Sequence, residues 1–183
     1  KPKSKRYIFI TSESTLSTEV RYLSSQNPKG KFEVFLPRAK NHLYEIEDWE
    51  NEFYILTNWR AKNFRIMKAP IISNSNKQKW KQVIPEREYV LIEQFDIFKD
   101  YLVLSEQTNA NAKIQVIPRD GSESYYIPFD EKVYVAGMSY NPEFNTEQIR
   151  IYYQSMITPP TTYEYNLKTK DIGLIKQKEI LGG

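Results

Sequence analysis

The chain has 183 residues, of which 40% are hydrophobic, 27% are charged and 14% are aromatic, and its formal net charge is +3. This composition excludes a disordered chain, and the absence of cysteine excludes disulfides and thiolate metal sites. The basic residues are scattered except for Lys1, Lys3, Lys5 and Arg6, which disfavours nucleic-acid binding, and no apolar run is long enough to span a membrane.

Short apolar runs, rich in aromatic and β-branched residues and bounded by polar turns, predict β-strands along the whole chain. In chain order, the first three lie at 6–10, 20–22 and 32–36. Three groups of four strands follow, at 43–49, 52–56, 64–66 and 80–84, then at 90–95, 101–104, 114–116 and 125–127, then at 133–139, 150–153, 163–165 and 172–175.

The strands repeat with a period close to fifty residues. Ile8, Tyr54, Val103 and Tyr152 occupy equivalent places and are 46, 49 and 49 residues apart. The runs 20–22, 64–66, 114–116 and 163–165 all read apolar, polar, apolar, which indicates one buried face in each copy. Four antiparallel strands in each unit of 40 to 50 residues are typical of β-propeller blades.

The sequence therefore predicts an all-β fold, a fragment of a β-propeller with about three and a half to four four-stranded antiparallel blades. We assign 1–43 to an incomplete blade that lacks its leading strand, and 44–88 and 89–131 to two complete blades. Residues 132–181 are assigned to the last blade, and 182–183 to the start of a linker. Too few blades to close a ring, and a start inside a blade, lead us to expect a piece of a longer protein.

Several segments resemble the prolyl oligopeptidase family of serine peptidases, and its oligopeptidase B (protease II) branch in particular. They are Ser4-Lys5-Arg6-Tyr7-Ile8-Phe9-Ile10, Thr57-Asn58-Trp59-Arg60-Ala61-Lys62-Asn63-Phe64-Arg65, Tyr125-Tyr126-Ile127-Pro128-Phe129-Asp130-Glu131 and Tyr140-Asn141-Pro142-Glu143-Phe144. The resemblance implies a seven-bladed propeller that covers the active site of an α/β-hydrolase domain in the same cytoplasmic chain and admits only short peptides. It implies cleavage after Lys or Arg by a triad that lies entirely in the hydrolase domain.

The residues themselves also argue against catalysis by this chain. None of the six glycines forms the Gly-x-Ser-x-Gly turn of a hydrolase nucleophile. His42, the only histidine, is interpreted as an ordinary loop histidine rather than a general base or metal ligand. We therefore predict no catalytic residue, no metal site and no cofactor.

Acidic and aromatic residues leave alternatives open. The acids could serve as glycosidase carboxylates, as solvated charge at strand ends, or as channel-lining groups that attract basic peptides. The aromatics could form a ligand platform, although packing between blades is the commoner use. The acids are Glu45, Glu47, Asp48, Glu86, Glu88, Asp130 and Glu131, and the aromatics are Trp49, Trp59, Trp80, Tyr125 and Tyr126.

Three functions follow from these features. The first is the non-catalytic, size-excluding propeller of a serine oligopeptidase, with the hydrolase domain and short basic peptides as its partners and neither nucleic acid nor a membrane. The second is a standalone propeller for protein interaction, although Asp48-Trp49 reverses the Trp-Asp dipeptide typical of such repeats. The third is a carbohydrate-active propeller. Exposed blade faces also lead us to expect a homodimer.

Overall fold

The structure of the chain, a computed structural model, describes residues 2–109 and 111–180. The predicted linker at 182–183 lies outside the described residues. The chain divides into two compact units, the first comprising Lys1–Glu88 and the second Tyr89–Gly183. In the part of the chain that the structure describes, no helix is long and apolar enough to cross a membrane.

The described residues form fifteen β-strands in four antiparallel sheets. The first unit holds two sheets. The first sheet contains β1 (Tyr7–Ser14), β2 (Ser17–Ser24) and β3 (Glu33–Val34). The second sheet contains β4 (Tyr44–Trp49), β5 (Glu52–Thr57), β6 (Arg65–Pro70) and β7 (Lys81–Ile84).

The second unit also holds two sheets. The third sheet contains β8 (Leu91–Ile97), β9 (Tyr101–Thr108), β10 (Asn111–Pro118) and β11 (Tyr125–Tyr126). The fourth sheet contains β12 (Tyr134–Met138), β13 (Gln148–Ser155), β14 (Thr161–Asn166) and β15 (Ile172–Gln177). Each sheet lies within one of the four ranges assigned to blades.

Neighbours in sequence are neighbours in every sheet, so each sheet is a meander. The two middle strands are the most regular. In β13, for example, Ile149, Ile151 and Tyr153 are buried while the residues between them are exposed, which is the alternation that a pleated strand requires. At one edge of the sheets lie the strands that are shortest or most exposed, namely β3, β7, β11 and β15. The opposite edge is formed by β4, β8 and β12, which are partly buried.

The core of the first unit is aromatic. Phe53, the second residue of β5, is fully buried and contacts the rings of Tyr7, Phe9, Tyr22 and Phe35 at centroid distances of 5.2 to 6.1 Å. Edge-on and tilted ring pairs of this kind stabilise a fold by more than the burial of their surface area alone. The cluster joins the first sheet to the second, because it contains residues of both.

The core of the second unit is mainly aliphatic. Val103, Ile114 and Val116 of the third sheet pack in one cluster with Ile149 and Ile151 of the fourth, and all five are fully buried. Tyr153 closes one side of this cluster by stacking on Phe129 at 5.0 Å. Each unit therefore buries the facing sides of two sheets against one another, as packed layers require.

One predicted strand begins later than expected. Phe64 was predicted in the strand 64–66, but it lies before β6 with a φ of +62° and is only half-buried. The buried residues that face the core are Met67 and Ala69 instead. The repeat pattern missed this shift because a left-handed turn residue cannot be distinguished from a strand residue by its hydrophobicity.

Candidate functional site

His42 is buried between the first two sheets and is held by neutral and cationic partners. Its Nε2 lies 3.0 Å from Thr57 Oγ1, and its Nδ1 lies 3.3 Å from Lys77 Nζ. Because an ammonium group only donates, Nδ1 must accept, and the ring proton on Nε2 is donated to Thr57. Burial, and then the charge of Lys77, lowers the pKa of His42 to about 4, so the ring is neutral near pH 7.

The structure adds burial to the interpretation of His42 as an ordinary loop histidine. The residue lies outside the named strands, is buried, and forms an isolated backbone bridge to Ser17 of β2. Its ring stacks on Tyr44 at a centroid distance of 5.0 Å. Within the described part of the chain, neither side-chain hydrogen bond of His42 involves a carboxylate that would orient it as a general base. Among residues 2–109 and 111–180, no group of three or more His, Cys, Asp or Glu side chains is placed to hold a metal ion.

Asp48 is buried, whereas one interpretation of the candidate acids was solvated charge at strand ends. It is 1% exposed, and its carboxylate accepts hydrogen bonds from Ser4 Oγ at 2.7 Å and Arg6 Nε at 2.8 Å. Arg6 Nη2 lies 2.8 Å from the same oxygen, Oδ2, so the ion pair is centred on one oxygen of the carboxylate. Since Arg6 precedes β1 and Asp48 lies on β4, the ion pair joins the first sheet to the second. Its role is structural, and sequence alone could not pair residues 42 positions apart.

The other candidate acids lie in three separate places. Glu45 and Glu47 are on β4, exposed and half-buried respectively. Glu86 and Glu88 are exposed in the segment after β7, and Glu86 accepts a hydrogen bond from the backbone N–H of Asn63. Asp130 and Glu131 precede β12 in the second unit.

Glu131 is engaged in a local hydrogen-bond network. Thr158 Oγ1 donates to Glu131 Oε1 at 2.6 Å. Hydrogen bonds from Ser155 and Thr158 lower the pKa of this carboxyl. A glycosidase general acid needs the opposite shift, a raised pKa. Glu131 is therefore suited to anchoring its loop.

Two edge strands share an acidic character. Besides Glu45 and Glu47 on β4, Glu93 is exposed and Asp96 is half-buried on β8. Glu93 is the extra residue of a β-bulge, because Ile92 and Gln94 pair with consecutive residues of β9. A bulge turns its side chain out of the regular alternation. Acidic groups thus lie on the more buried edge of the second and third sheets.

The candidate aromatic residues lie in different environments. Trp80 lies in the core that joins the first two sheets, and its Nε1–H donates to the Asn74 carbonyl oxygen at 2.6 Å, which confirms the packing interpretation for this residue. Trp49 is buried beside Tyr54. Tyr126 is exposed on β11 and donates a hydrogen bond to Glu106.

Trp59 is surrounded by cations. Three positively charged groups approach its indole ring: the Arg60 guanidinium carbon at 5.0 Å from the centroid, that of Arg65 at 5.1 Å, and Lys77 Nζ at 5.4 Å. Trp59 is half-buried and Arg60 is exposed, so solvent reaches the cluster. Burial lowers the pKa of Lys77. We call Trp59, Arg60, Arg65 and Lys77 the basic-aromatic cluster.

Local turns bring these residues together. Arg60 has a φ of +54°, a left-handed conformation that a non-glycine residue adopts only at some cost. Asn58 and Asn63 fix the loop between β5 and β6, through hydrogen bonds from Asn58 Nδ2 to the Asn41 carbonyl and from Asn63 Nδ2 to the Glu88 carbonyl. Sequence reasoning considered Trp59 alone, because Arg65 and Lys77 are distant from it in sequence and Lys77 lies on the 3₁₀ turn Lys77–Lys79.

An open groove of about 770 Å³ lies in the second unit. Its lining includes Tyr101, Tyr125 and charges of both signs, namely Arg119, Lys168 and Lys170 and the acids at 100, 120, 123 and 147. Tyr125 Oη donates to the Leu167 carbonyl oxygen at 2.5 Å, and Lys170 Nζ lies 4.2 Å from the Tyr125 ring centroid. These contacts use the polar tip and the face of Tyr125 internally, which leaves it little capacity to serve as a ligand platform.

Comparison with known proteins places this architecture in a family. The sequence profile described as "Prolyl oligopeptidase, N-terminal beta-propeller domain" matches residues 1–178. The dipeptidyl aminopeptidase BI of Pseudoxanthomonas mexicana is 39% identical over 178 residues, which are 97% of this chain and 24% of that protein. Protease 2 of Moraxella lacunata is 30% identical over 169 residues, which are 92% of this chain and 24% of that protein.

The fold agrees with this relationship. Oligopeptidase B from Leishmania major superposes with a TM-score of 0.88 over 100% of this chain and 27% of that one, at 21% identity. The chain thus spans about a quarter of the length of these relatives. The predicted all-β propeller architecture is confirmed, and the chain belongs to the prolyl oligopeptidase family as part of its N-terminal β-propeller domain.

Proposed function

We propose that this chain is the non-catalytic, substrate-gating part of a serine oligopeptidase that cleaves short peptides after Lys or Arg. The observation that carries the proposal is the match of residues 1–178 to the propeller domain of the prolyl oligopeptidase family. In this proposal the catalytic triad belongs to an α/β-hydrolase domain elsewhere in the same chain. The sequence supports that division, since it contains no Gly-x-Ser-x-Gly turn.

The acidic edge strands support the preference for basic peptides. Glu45 on β4 and Glu93 on β8 are exposed at the sheet edge formed by the first strand of each four-stranded sheet. Blades of a propeller surround a central channel, and we propose that this edge faces it. Carboxylates along a narrow channel raise the local concentration of cationic peptides by long-range attraction.

The first experiment compares the 183-residue chain with the complete peptidase on a short Arg-linked chromogenic peptide. We expect hydrolysis by the complete enzyme only. A folded protein with exposed Arg residues should resist cleavage, since the propeller admits only short chains. Equal cleavage of the short peptide and the folded protein would contradict the gating role, and indifference to Lys or Arg at the cleaved bond would contradict the specificity.

A second experiment tests the acidic edge in the complete enzyme. Glu45→Gln with Glu93→Gln should raise KM for a basic peptide about twofold to threefold at low salt, and the difference should vanish at high salt because the attraction is screened. Glu123→Gln is the matched control, because Glu123 is exposed at the opposite edge of the third sheet, in the turn before β11. If Glu123→Gln raised KM by the same factor, the effect could not be attributed to carboxylates in the channel.

Cytoplasmic location and the assignment of 132–181 to the last blade belong to the same proposal. Dimerisation of the isolated chain is a further prediction. Light scattering tests it directly: a molar mass of twice 21.8 kDa is expected for the dimer, and a monomer contradicts it.

A further inference from the structure

The basic-aromatic cluster is unlike the other positive charges of the first unit. Arg6, Arg21 and Lys68 each form an ion pair, with Asp48, Glu19 and Glu52 respectively. Among the described residues, no carboxylate forms a hydrogen bond or ion pair with Arg60, Arg65 or Lys77. Their contacts are to the ring of Trp59, and for Lys77 also to Trp80 and His42.

The three charges are close enough for their fields to add. Each lies within 5.4 Å of the same ring centroid, so no two are further apart than roughly 10 Å, the Debye length at 0.1 M salt. The indole face attracts cations but does not neutralise them. In addition, Arg65 Nε is buried and has no hydrogen-bond partner among the described residues. A buried donor of this kind needs an acceptor that the described part of the chain does not supply.

The groups next to the basic-aromatic cluster do not neutralise its positive charge. His42, next to Lys77, is neutral at pH 7, so it adds no charge but also accepts only one of the three ammonium hydrogens. The carboxylate that reaches this loop, Glu86, accepts from the Asn63 backbone N–H rather than from a guanidinium. A guanidinium whose face lies against an aromatic ring still has its N–H groups in its own plane, available for a planar oxyanion.

We propose that the basic-aromatic cluster is a binding site for an oxyanion, either a carboxylate or a phosphate group. Arg60 and Arg65 donate hydrogen bonds to its oxygens, Lys77 contributes a point charge, and Trp59 holds the two guanidinium groups in place. The left-handed backbone at Arg60 fits this role, because strained residues concentrate at ligand sites. This site is independent of the proposed peptidase function and of the acidic edge of β4 and β8.

The test follows the indole N–H of Trp59 by NMR in the 183-residue chain, with Trp59→Phe to identify its signal among the three tryptophans. Sodium phosphate and sodium acetate are titrated at pH 7.5 against sodium chloride of equal ionic strength. We expect a saturable shift with phosphate or acetate and none with chloride. Saturation by acetate identifies a carboxylate site, and saturation by phosphate alone identifies a phosphate site.

Two variants test whether the anion binds at the basic-aromatic cluster. Arg60→Gln and Arg65→Gln should each weaken binding about tenfold, the effect of losing a charge-assisted hydrogen bond. Lys113→Gln is the matched control, since Lys113 lies 5.3 Å from the ring centroid of Tyr126 in the second unit and should leave binding unchanged. If Arg65→Gln does not fold, Arg60→Gln still decides, because Arg60 is exposed. A shift that chloride reproduces, or that both variants retain, overturns the proposal.

Discussion

The two units solve the same packing problem with different chemistry. Each buries one face of two antiparallel sheets. In the first unit, the sheets are also joined by an ion pair between the half-buried Arg6 and the buried Asp48, and by a buried histidine at a bridge to Ser17. Groups that titrate or carry charge therefore lie within the contact between its sheets.

The second unit joins its sheets through neutral groups. The Met138 N–H donates to Ser105 Oγ at 3.3 Å, and Tyr125 donates to a backbone carbonyl. Its buried carboxylate, Glu106, lies on the opposite face of β9 from Val103, and therefore away from the core. The difference predicts that the first unit responds to pH and to loss of charge, whereas the second responds mainly to loss of volume.

The largest expected effect is a cavity in the second unit. Ile151→Ala removes a fully buried side chain from the aliphatic core and should lower the free energy of unfolding by about 4 kcal/mol. Hydrogen exchange of amides in β9 and β13 measures it, and the loss should be the same at pH 7 and pH 5. Ile157→Ala, at an 83% exposed position, should change stability by less than about 0.5 kcal/mol. A strongly pH-dependent loss of stability in Ile151→Ala would contradict the proposed difference between the two units.

The next effect is loss of the Arg6–Asp48 ion pair in the first unit. Asp48→Asn leaves the Arg6 guanidinium beside a neutral amide and should cost about 2.5 kcal/mol, less than a fully buried pair because the Arg6 side chain is 40% exposed. All three tryptophans lie in the first unit, so denaturant unfolding followed by their fluorescence reports it. Glu52→Gln breaks the more exposed pair with Lys68 and should cost less than about 1 kcal/mol. Equal costs would show that burial does not matter here.

A smaller effect should appear as pH dependence. The pKa of His42 is about 4 in the folded chain against 6.5 ordinarily. Well above pH 6.5 the ring is neutral in both states. As the pH falls from there toward 4, the unfolded state binds the proton and the folded state does not, so stability is lost. The loss due to His42 should be about 2 kcal/mol between pH 7 and pH 4.5, measured as the difference between wild type and His42→Gln by fluorescence-detected unfolding.

Lys77→Gln is the control for this pH dependence. The charge of Lys77 is the second cause of the low pKa of His42, after burial. Removing it should raise that pKa and reduce the loss of stability, without abolishing it. If wild type and His42→Gln lose stability in parallel as the pH falls, the histidine is not the titrating group.

The strand repeat could be predicted because hydrophobic alternation is a local property of the sequence. The middle strands of each sheet follow it most closely, as β10 and β13 show. The outer strands β3 and β11 are only two residues long, although longer apolar runs were predicted there. An outer strand pairs on one side only, so its length depends on its neighbour and on local turns rather than on its own pattern.

The chemistry of particular residues could not be predicted in the same way. From sequence alone, an acid such as Asp48 is expected to be solvated, because the distant arginine that contacts it is not evident. The basic-aromatic cluster depends on the left-handed backbone at Arg60, and non-glycine residues give no reliable sign of that conformation. Family resemblance identified the domain, but contacts between residues far apart in sequence require the fold.

The smallest expected effect sharpens the comparison at one equivalent position. Tyr54 pairs across strands with Glu47 in the second sheet, while Tyr152 pairs with Gly137 in the fourth. A Cβ added at Gly137 would lie 2.7 Å from a ring carbon of Tyr152, so Gly137→Ala must push the ring aside. Because Tyr152 is 44% exposed, its ring can rotate, and we expect a cost of about 1 kcal/mol.

Tyr152→Ala separates the ring from the backbone in this test. With the ring removed, Gly137→Ala should become stabilising by about 0.5 kcal/mol, since alanine reduces the entropy of the unfolded chain. Gly173→Ala on β15 is the matched control, because its added Cβ would approach nothing closer than the Glu164 carbonyl oxygen at 4.0 Å. A double-mutant cycle by denaturant unfolding measures the coupling. Additive effects of Gly137→Ala and Tyr152→Ala would mean that the tyrosine does not cover the glycine, and that the two cross-strand pairs are alike.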